Sequence, residues 1–178
     1  MSWPKGIAAR GEIRHQYTHA IDVMPTVLEV LGVEPPAMLR GVPQEEIAGA
    51  SFKATFAEPQ APAMRTLQYY ECYGSRAIYF DGWKAVTFHP IPGIPADGGG
   101  DPYAPFTQDQ WELYHVAEDF SECCDLAAQE PERLQMMIGL WFAEAGKYDV
   151  FPLHAVQRKG ARPKPHTDRE LYVYWPDT

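Results

Sequence analysis

At 178 residues the chain is long enough for one domain or for part of a larger one. Hydrophobic residues make up 46% and charged residues 22%, which excludes disorder throughout. Fifteen Lys and Arg against twenty-four Asp and Glu give a net charge of −9, which excludes the broad basic face that a nucleic-acid partner needs to displace phosphate counterions.

The 14 Gly and 17 Pro forecast long irregular connections. Cys72, Cys123 and Cys124 form no disulfide framework and no C-x-x-C pair for zinc or redox chemistry. The opening Met1-Ser2-Trp3-Pro4-Lys5-Gly6 has no apolar signal core, and no run approaches the ~20 residues of a membrane span. The compartment is left open. The basic stretch Arg158–Lys164 reads as a solvated linker.

In chain order, residues 13–21 read as extended, because Pro25 would sit deep inside any helix begun near His15. Asp22 to Gly32 reads as a short helix, with Asp22 as a cap, Pro25 in the first turn, Gly32 as the stop and an apolar stripe of Val23, Val27, Leu28 and Leu31. Residues 33–65 are Pro-rich and irregular. Strands are predicted over 66–73, 76–80 and 83–88, the last two joined by Asp81-Gly82, a strong hairpin signal. A loop from His89 to Phe106 leads to a fourth strand over 111–116. Pro131 opens a helix to about Lys147, with Leu134, Met137, Ile138, Trp141, Phe142 and Ala145 on one buried face, for which the sheet is the nearest cover. The tail from Pro152 ends in a strand-like run, Glu170 to Pro176, with no partner following it. The predicted fold is α+β: a small antiparallel four-stranded sheet packed by one long amphipathic helix. Its organisation is read as 1–35, 36–65 (irregular connection), 66–151 (sheet and helix) and 152–178 (extended tail). The unpartnered helix and strand at the two ends suggest a piece of something larger.

Several segments resemble the C-terminal portion of bacterial arylsulfatases, formylglycine-dependent members of the alkaline-phosphatase superfamily. Trp3-Pro4-Lys5-Gly6-Ile7 is similar to the end of the strand that closes that family's catalytic domain. His19 to Glu29 looks like its D-x-x-P-T-x-L-E helix, and Arg40 to Gln44 with Gly49 to Phe52 like its G-V-x-Q…G-x-S segment. Gly74 to Lys84 resembles its G-N-R-A-I-Y-x-D-G-W hairpin, and Trp111 to Ala127 its W-E-L-Y…D-x-S-E-x-x-D-L-A run. Each motif alone is weak; together they run collinearly over roughly residues 2 to 176. The resemblance implies a C-terminal subdomain of an α/β sandwich, whose parent hydrolyses sulfate esters with a formylglycine nucleophile and calcium. Residues 1–35 would be a remnant of the catalytic domain. Nucleophile, calcium ligands and charge-stabilising Lys would lie before Trp3, in the missing N-terminal catalytic domain that is this chain's implied partner. The chain alone is then expected to be inactive, with self-association through exposed apolar surface. Two alternatives remain: a related phosphate-ester hydrolase, or a stand-alone binding module.

Four groupings carry residue types suited to chemistry or pairing. Cys72-Tyr73-Gly74-Ser75-Arg76 resembles the family's nucleophile motif C-x-P-S-R, but Gly74 replaces the proline and a strand follows where the family has a helix N-terminus; Cys72 is rejected as catalytic. His15, His19 and Asp22 are metal-binding types, but their spacing fixes no geometry and Asp22 is needed as a cap; a metal site is rejected. Thr87 and His89 are candidates for the rim of the substrate pocket, since the family's C-terminal sheet lies near the mouth of the active site. Glu71 and Arg76 are read as a structural cross-strand pair.

Overall fold

A computed structural model describes residues 3–91 and 100–153. The chain divides into two compact units, Met1–Gln68 with Tyr79–Gly82, and Tyr69–Ile78 with the chain from Trp83 onward. The predicted strand over 170–176 lies outside the described residues.

In the first unit, helix α1 (Val23–Leu31) follows a 3-10 turn, Ala20–Asp22, and ends at Gly32 in the left-handed conformation at φ 65°. That is the glycine stop read from the sequence. Asp22 does something other than cap α1. Its carboxylate makes no bond to the helix it precedes; it accepts from the amides of His19 at 2.8 Å and Ala50 at 2.9 Å and from Nε of Arg65 at 3.1 Å. Most of the predicted stripe is also turned outward, with Leu28 alone of its four residues partly buried. Val23, Val27 and Leu31 are exposed, while Asp22 and Thr26 are buried. The polar groups hold the inner face because each has a partner there: the Thr26 hydroxyl donates to the Asp22 carbonyl at 2.6 Å and accepts from the Phe52 amide at 3.1 Å.

The stretch read as irregular carries a two-residue hairpin, β1 (Met38–Leu39) and β2 (Val42–Pro43), and a 3-10 turn at Lys53–Phe56. The extended segment before α1 is fixed by side chains: Arg14 Nε donates to the Thr55 carbonyl at 2.7 Å, and Gln16 Nε2 to the Pro59 and Ala61 carbonyls, each at 2.8 Å.

The four predicted strands form one antiparallel meander, β3 (Leu67–Cys72), β4 (Ser75–Phe80), β5 (Trp83–Thr87) and β6 (Trp111–Tyr114), in that spatial order. Asp81 and Gly82 have φ 46° and 84°, the left-handed pair that a tight hairpin requires. Tyr73-Gly74 (52° and 91°) and Arg40-Gly41 (51° and 84°) repeat the geometry at the β3–β4 and β1–β2 turns. Register between β5 and β6 sets Ala85 against Leu113 and Thr87 against Trp111.

Helix α2 (Pro131–Lys147) packs on β5 and β6. Met137, Trp141 and Ala145 are its fully buried residues, and Ile78, Ala85 and Leu113 are as buried on the sheet. The Trp141 indole N–H donates to the Tyr70 carbonyl at 2.9 Å, so the largest core side chain leaves no polar atom unpaired. Phe142, read as part of the buried face, is half exposed and stacks on Phe151. The fold is thus the predicted sheet covered by one helix.

Candidate functional site

The most constrained polar cluster lies in the second unit, where β5 ends. Alternation along an extended strand sends Thr87 and His89 to one side and Phe88 to the other, and Thr87 and His89 are buried while Phe88 is exposed. Thr87 pairs with Trp111; two residues further in the same register set Asp109 opposite His89. A 3-10 turn, Phe106–Gln108, delivers Asp109 to that place. His89 Nδ1 lies 3.0 Å from Asp109 Oδ1. The other carboxylate oxygen accepts from Arg76 Nη2, from the neighbouring strand β4.

The surroundings fix both partners. Ser75 Oγ accepts from the His89 amide at 3.0 Å, and the Thr87 hydroxyl donates to the Gln110 carbonyl at 2.7 Å. Gly74 is required beside the ring: a Cβ there would lie 3.1 Å from His89 Cδ2 and 2.4 Å from Phe106 Cε1. The Arg76 guanidinium donates to the Phe106 carbonyl at 3.2 Å and lies 5.6, 5.3 and 5.7 Å from the ring centres of Phe106, Trp111 and Trp141. Burial pushes the Arg76 pKa down, and the nearby Asp109 and Glu71 carboxylates oppose that.

Two buried atoms in this cluster have no hydrogen-bond partner among the described residues, His89 Nε2 and Arg76 Nε. With Nδ1 donating to Asp109, the carboxylate fixes the ring and leaves Nε2 as the nitrogen facing any further partner. Such an arrangement can position an imidazole, and among the described residues no hydroxyl or thiol side chain is bonded to its Nε2.

The other sequence candidates fall elsewhere. Cys72 is an exposed free thiol at the end of β3, ahead of the Tyr73-Gly74 turn and not at a helix N-terminus. With Glu71, Tyr73, Val150, Pro152 and Leu153 it lines an open cleft of about 360 Å³. His15 is exposed, His19 Nδ1 accepts from the Ile21 amide at 3.4 Å, and Asp22 is held by Arg65. Among the described residues no group of three or more His, Cys, Asp and Glu is placed to hold a metal ion. Glu71 and Arg76 do not bond to each other: Glu71 accepts from the Gly74 amide at 2.8 Å, and Arg76 turns to Asp109. Sequence reasoning singled out His89 but missed Asp109. The register of β5 with β6, continued past the last paired residues, was the signal that could have found it.

No family model matches the chain. Its fold is similar to that of BT4656, solved in complex with its substrate D-glucosamine-2-N,6-O-disulfate: TM-score 0.55, 22% identity, 85% of this chain and 28% of that one. It is also similar to Ps i-CgsB, solved with k-i-k-neocarrahexaose and without it, each at TM-score 0.52, 19% identity, 82% of this chain and 27% of that one. The chain therefore spans little more than a quarter of the length of these neighbours, and what they share with it at this identity is fold.

Proposed function

We propose that this chain is the C-terminal subdomain of a sulfuric ester hydrolase of the arylsulfatase type, which supports the fold of a longer protein and lends one edge to its substrate pocket. What supports the reading most is the coincidence of 85% of this chain with about a quarter of a protein whose substrate carries sulfate groups. The collinear sulfatase-like segments from Trp3 to Ala127 point the same way. On this reading the edge of the pocket is the end of β5: Thr87 anchors the strand through Gln110, and His89 supplies the ring nitrogen that has no partner among the described residues. Calcium, the formylglycine nucleophile and the residues that stabilise developing oxyanions are assigned to the preceding catalytic portion, and the 178-residue chain alone has no turnover.

The test is the coding sequence upstream of Met1 and the long protein it encodes. An in-frame continuation carrying C-x-P-S-R, with calcium-dependent turnover of a chromogenic aryl sulfate or a 6-O-sulfated glucosamine, is the expected result. Turnover of the matching phosphate ester alone would move the protein to another branch of phosphate and sulfate chemistry. Sulfate-ester turnover by the 178-residue chain that vanishes in Cys72→Ser would overturn the assignment of the nucleophile.

A further inference from the structure

Asp109 does more than fix the His89 ring: it sets which kind of hydrogen bond the ring can make. Nδ1 lies 3.0 Å from one carboxylate oxygen and 3.2 Å from the other. A lone pair on Nδ1 would face those oxygens with like charge, so this nitrogen carries the proton and donates. Two states of the ring satisfy that condition. The neutral tautomer leaves a lone pair on Nε2, whereas the imidazolium puts a second proton there.

Charge decides between them. The Asp109 carboxylate is already matched by the buried Arg76 guanidinium that donates to it. Glu71, the other carboxylate that acts on Arg76, is engaged by the Gly74 amide at 2.8 Å. An imidazolium would be a second cation sharing one carboxylate, in a side chain wholly sealed from water. Its Nε2 proton would also have no acceptor among the described residues. A buried charge left without a counter-charge and without a hydrogen bond is costly, so the neutral ring is favoured and Nε2 is an acceptor. The edge of the ring that bears Nε2 is lined by two unusual neighbours. Gly74 comes so close that a Cβ would lie 3.1 Å from Cδ2, the carbon next to Nε2. The Phe106 ring, part-exposed, is tilted against the imidazole with centroids 4.4 Å apart. A ligand reaches Nε2 by displacing that ring.

We propose that Asp109 is a positioning residue that holds His89 as a hydrogen-bond acceptor, and that this edge of the pocket takes a hydroxyl group on the organic part of the substrate. The oxygens of a sulfate group offer only lone pairs, which the Nε2 lone pair repels; a hydroxyl supplies the missing proton. A buried acceptor that only the right substrate satisfies discriminates against an analogue without the donor. The proposal rests on the sulfatase reading and deepens it by naming what the edge selects.

The test has two arms. In the 178-residue chain at neutral pH, nitrogen NMR of the His89 imidazole should show Nδ1 protonated and Nε2 bare. Asp109→Asn should let the proton distribute over both nitrogens. Two protonated nitrogens in the unaltered chain would overturn the acceptor, and an unchanged spectrum in Asp109→Asn would overturn the positioning role. In the in-frame long protein, kcat/KM is measured for ortho-, meta- and para-hydroxyphenyl sulfate, each against the methoxy compound, which keeps the oxygen and lacks the donor. At one ring position the hydroxyl compound should be preferred by about five- to tenfold, the scale of one hydrogen bond. His89→Phe should abolish that preference while leaving turnover of the methoxy compound. If the long protein takes only 6-O-sulfated glucosamine, its hydroxyls and their methyl ethers give the same comparison. Turnover without any such preference would overturn the inference and leave the sulfatase reading standing. No turnover of any of these sulfate esters would overturn that reading and the inference with it. Should the substitutions unfold the sheet, the spectrum and the substrate comparison on the unaltered protein still decide.

Discussion

The two helices carry the same kind of sequence pattern and use it in opposite ways. On α2 the apolar side chains at three- and four-residue spacing face the sheet, and Met137, Trp141 and Ala145 are sealed from water. On α1 an equally regular stripe faces out, while Asp22 and Thr26 sit inside. Periodicity reports that a helix has an apolar face and is silent about whether the cover for that face lies within the same chain. The seat of α2 on the sheet is held by area removed from water, and the orientation of α1 by the bonds of a charge, Asp22, and a hydroxyl, Thr26.

This contrast can be broken most forcefully at Trp141. Trp141→Ala should destabilise the chain by roughly 3–5 kcal/mol in chemical denaturation, because it empties the largest buried volume and strands the Tyr70 carbonyl. A change near zero would show that α2 is no more firmly seated than α1.

The polar side of the comparison is sharpened by acid. Burial raises the Asp22 pKa, but Arg65 and the amides of Ala50 and His19 outweigh it and hold the value at about 2, against 3.8 for an ordinary aspartate. A carboxylate held below its unfolded pKa stabilises the fold above that pKa, here about 4, and loses the contribution as pH falls toward 2. The window is worth about 2 kcal/mol. Asp22→Asn should flatten the stability profile between pH 4 and pH 2 relative to the parent chain. An unchanged slope would mean that the knot at α1 is electrostatically idle.

The smallest effect is expected at the margin of the α2 stripe. Phe142 is half exposed and meets Trp141 edge-on at 5.1 Å and Phe151 in a stack at 5.9 Å. Phe142→Ala should cost about 1 kcal/mol, the scale of one aromatic pair, well short of a core deletion. A loss as large as that of Trp141→Ala would put Phe142 back in the core.

By itself the sequence determined the strands, the Asp81-Gly82 turn, the span of α2 and the glycine stop of α1. These are local properties: alternation, helical spacing and left-handed turn residues act within a few positions of one another. It also brought His89 forward as a candidate and ruled against Cys72 on the grounds that a strand follows it. Only the tertiary structure decided which way α1 faces, because that depends on Ala50, Phe52 and Arg65, which are 26 to 43 residues away from the groups they bind. The partner of Arg76 was settled in the same way. Glu71 is near in sequence, yet the β3–β4 turn commits it to the Gly74 amide, and the register of β5 with β6 brings Asp109 to Arg76 and His89 from as many as 33 positions away. Long-range pairing of buried charges is set by strand register and desolvation together, and neither is written in any short stretch of residues.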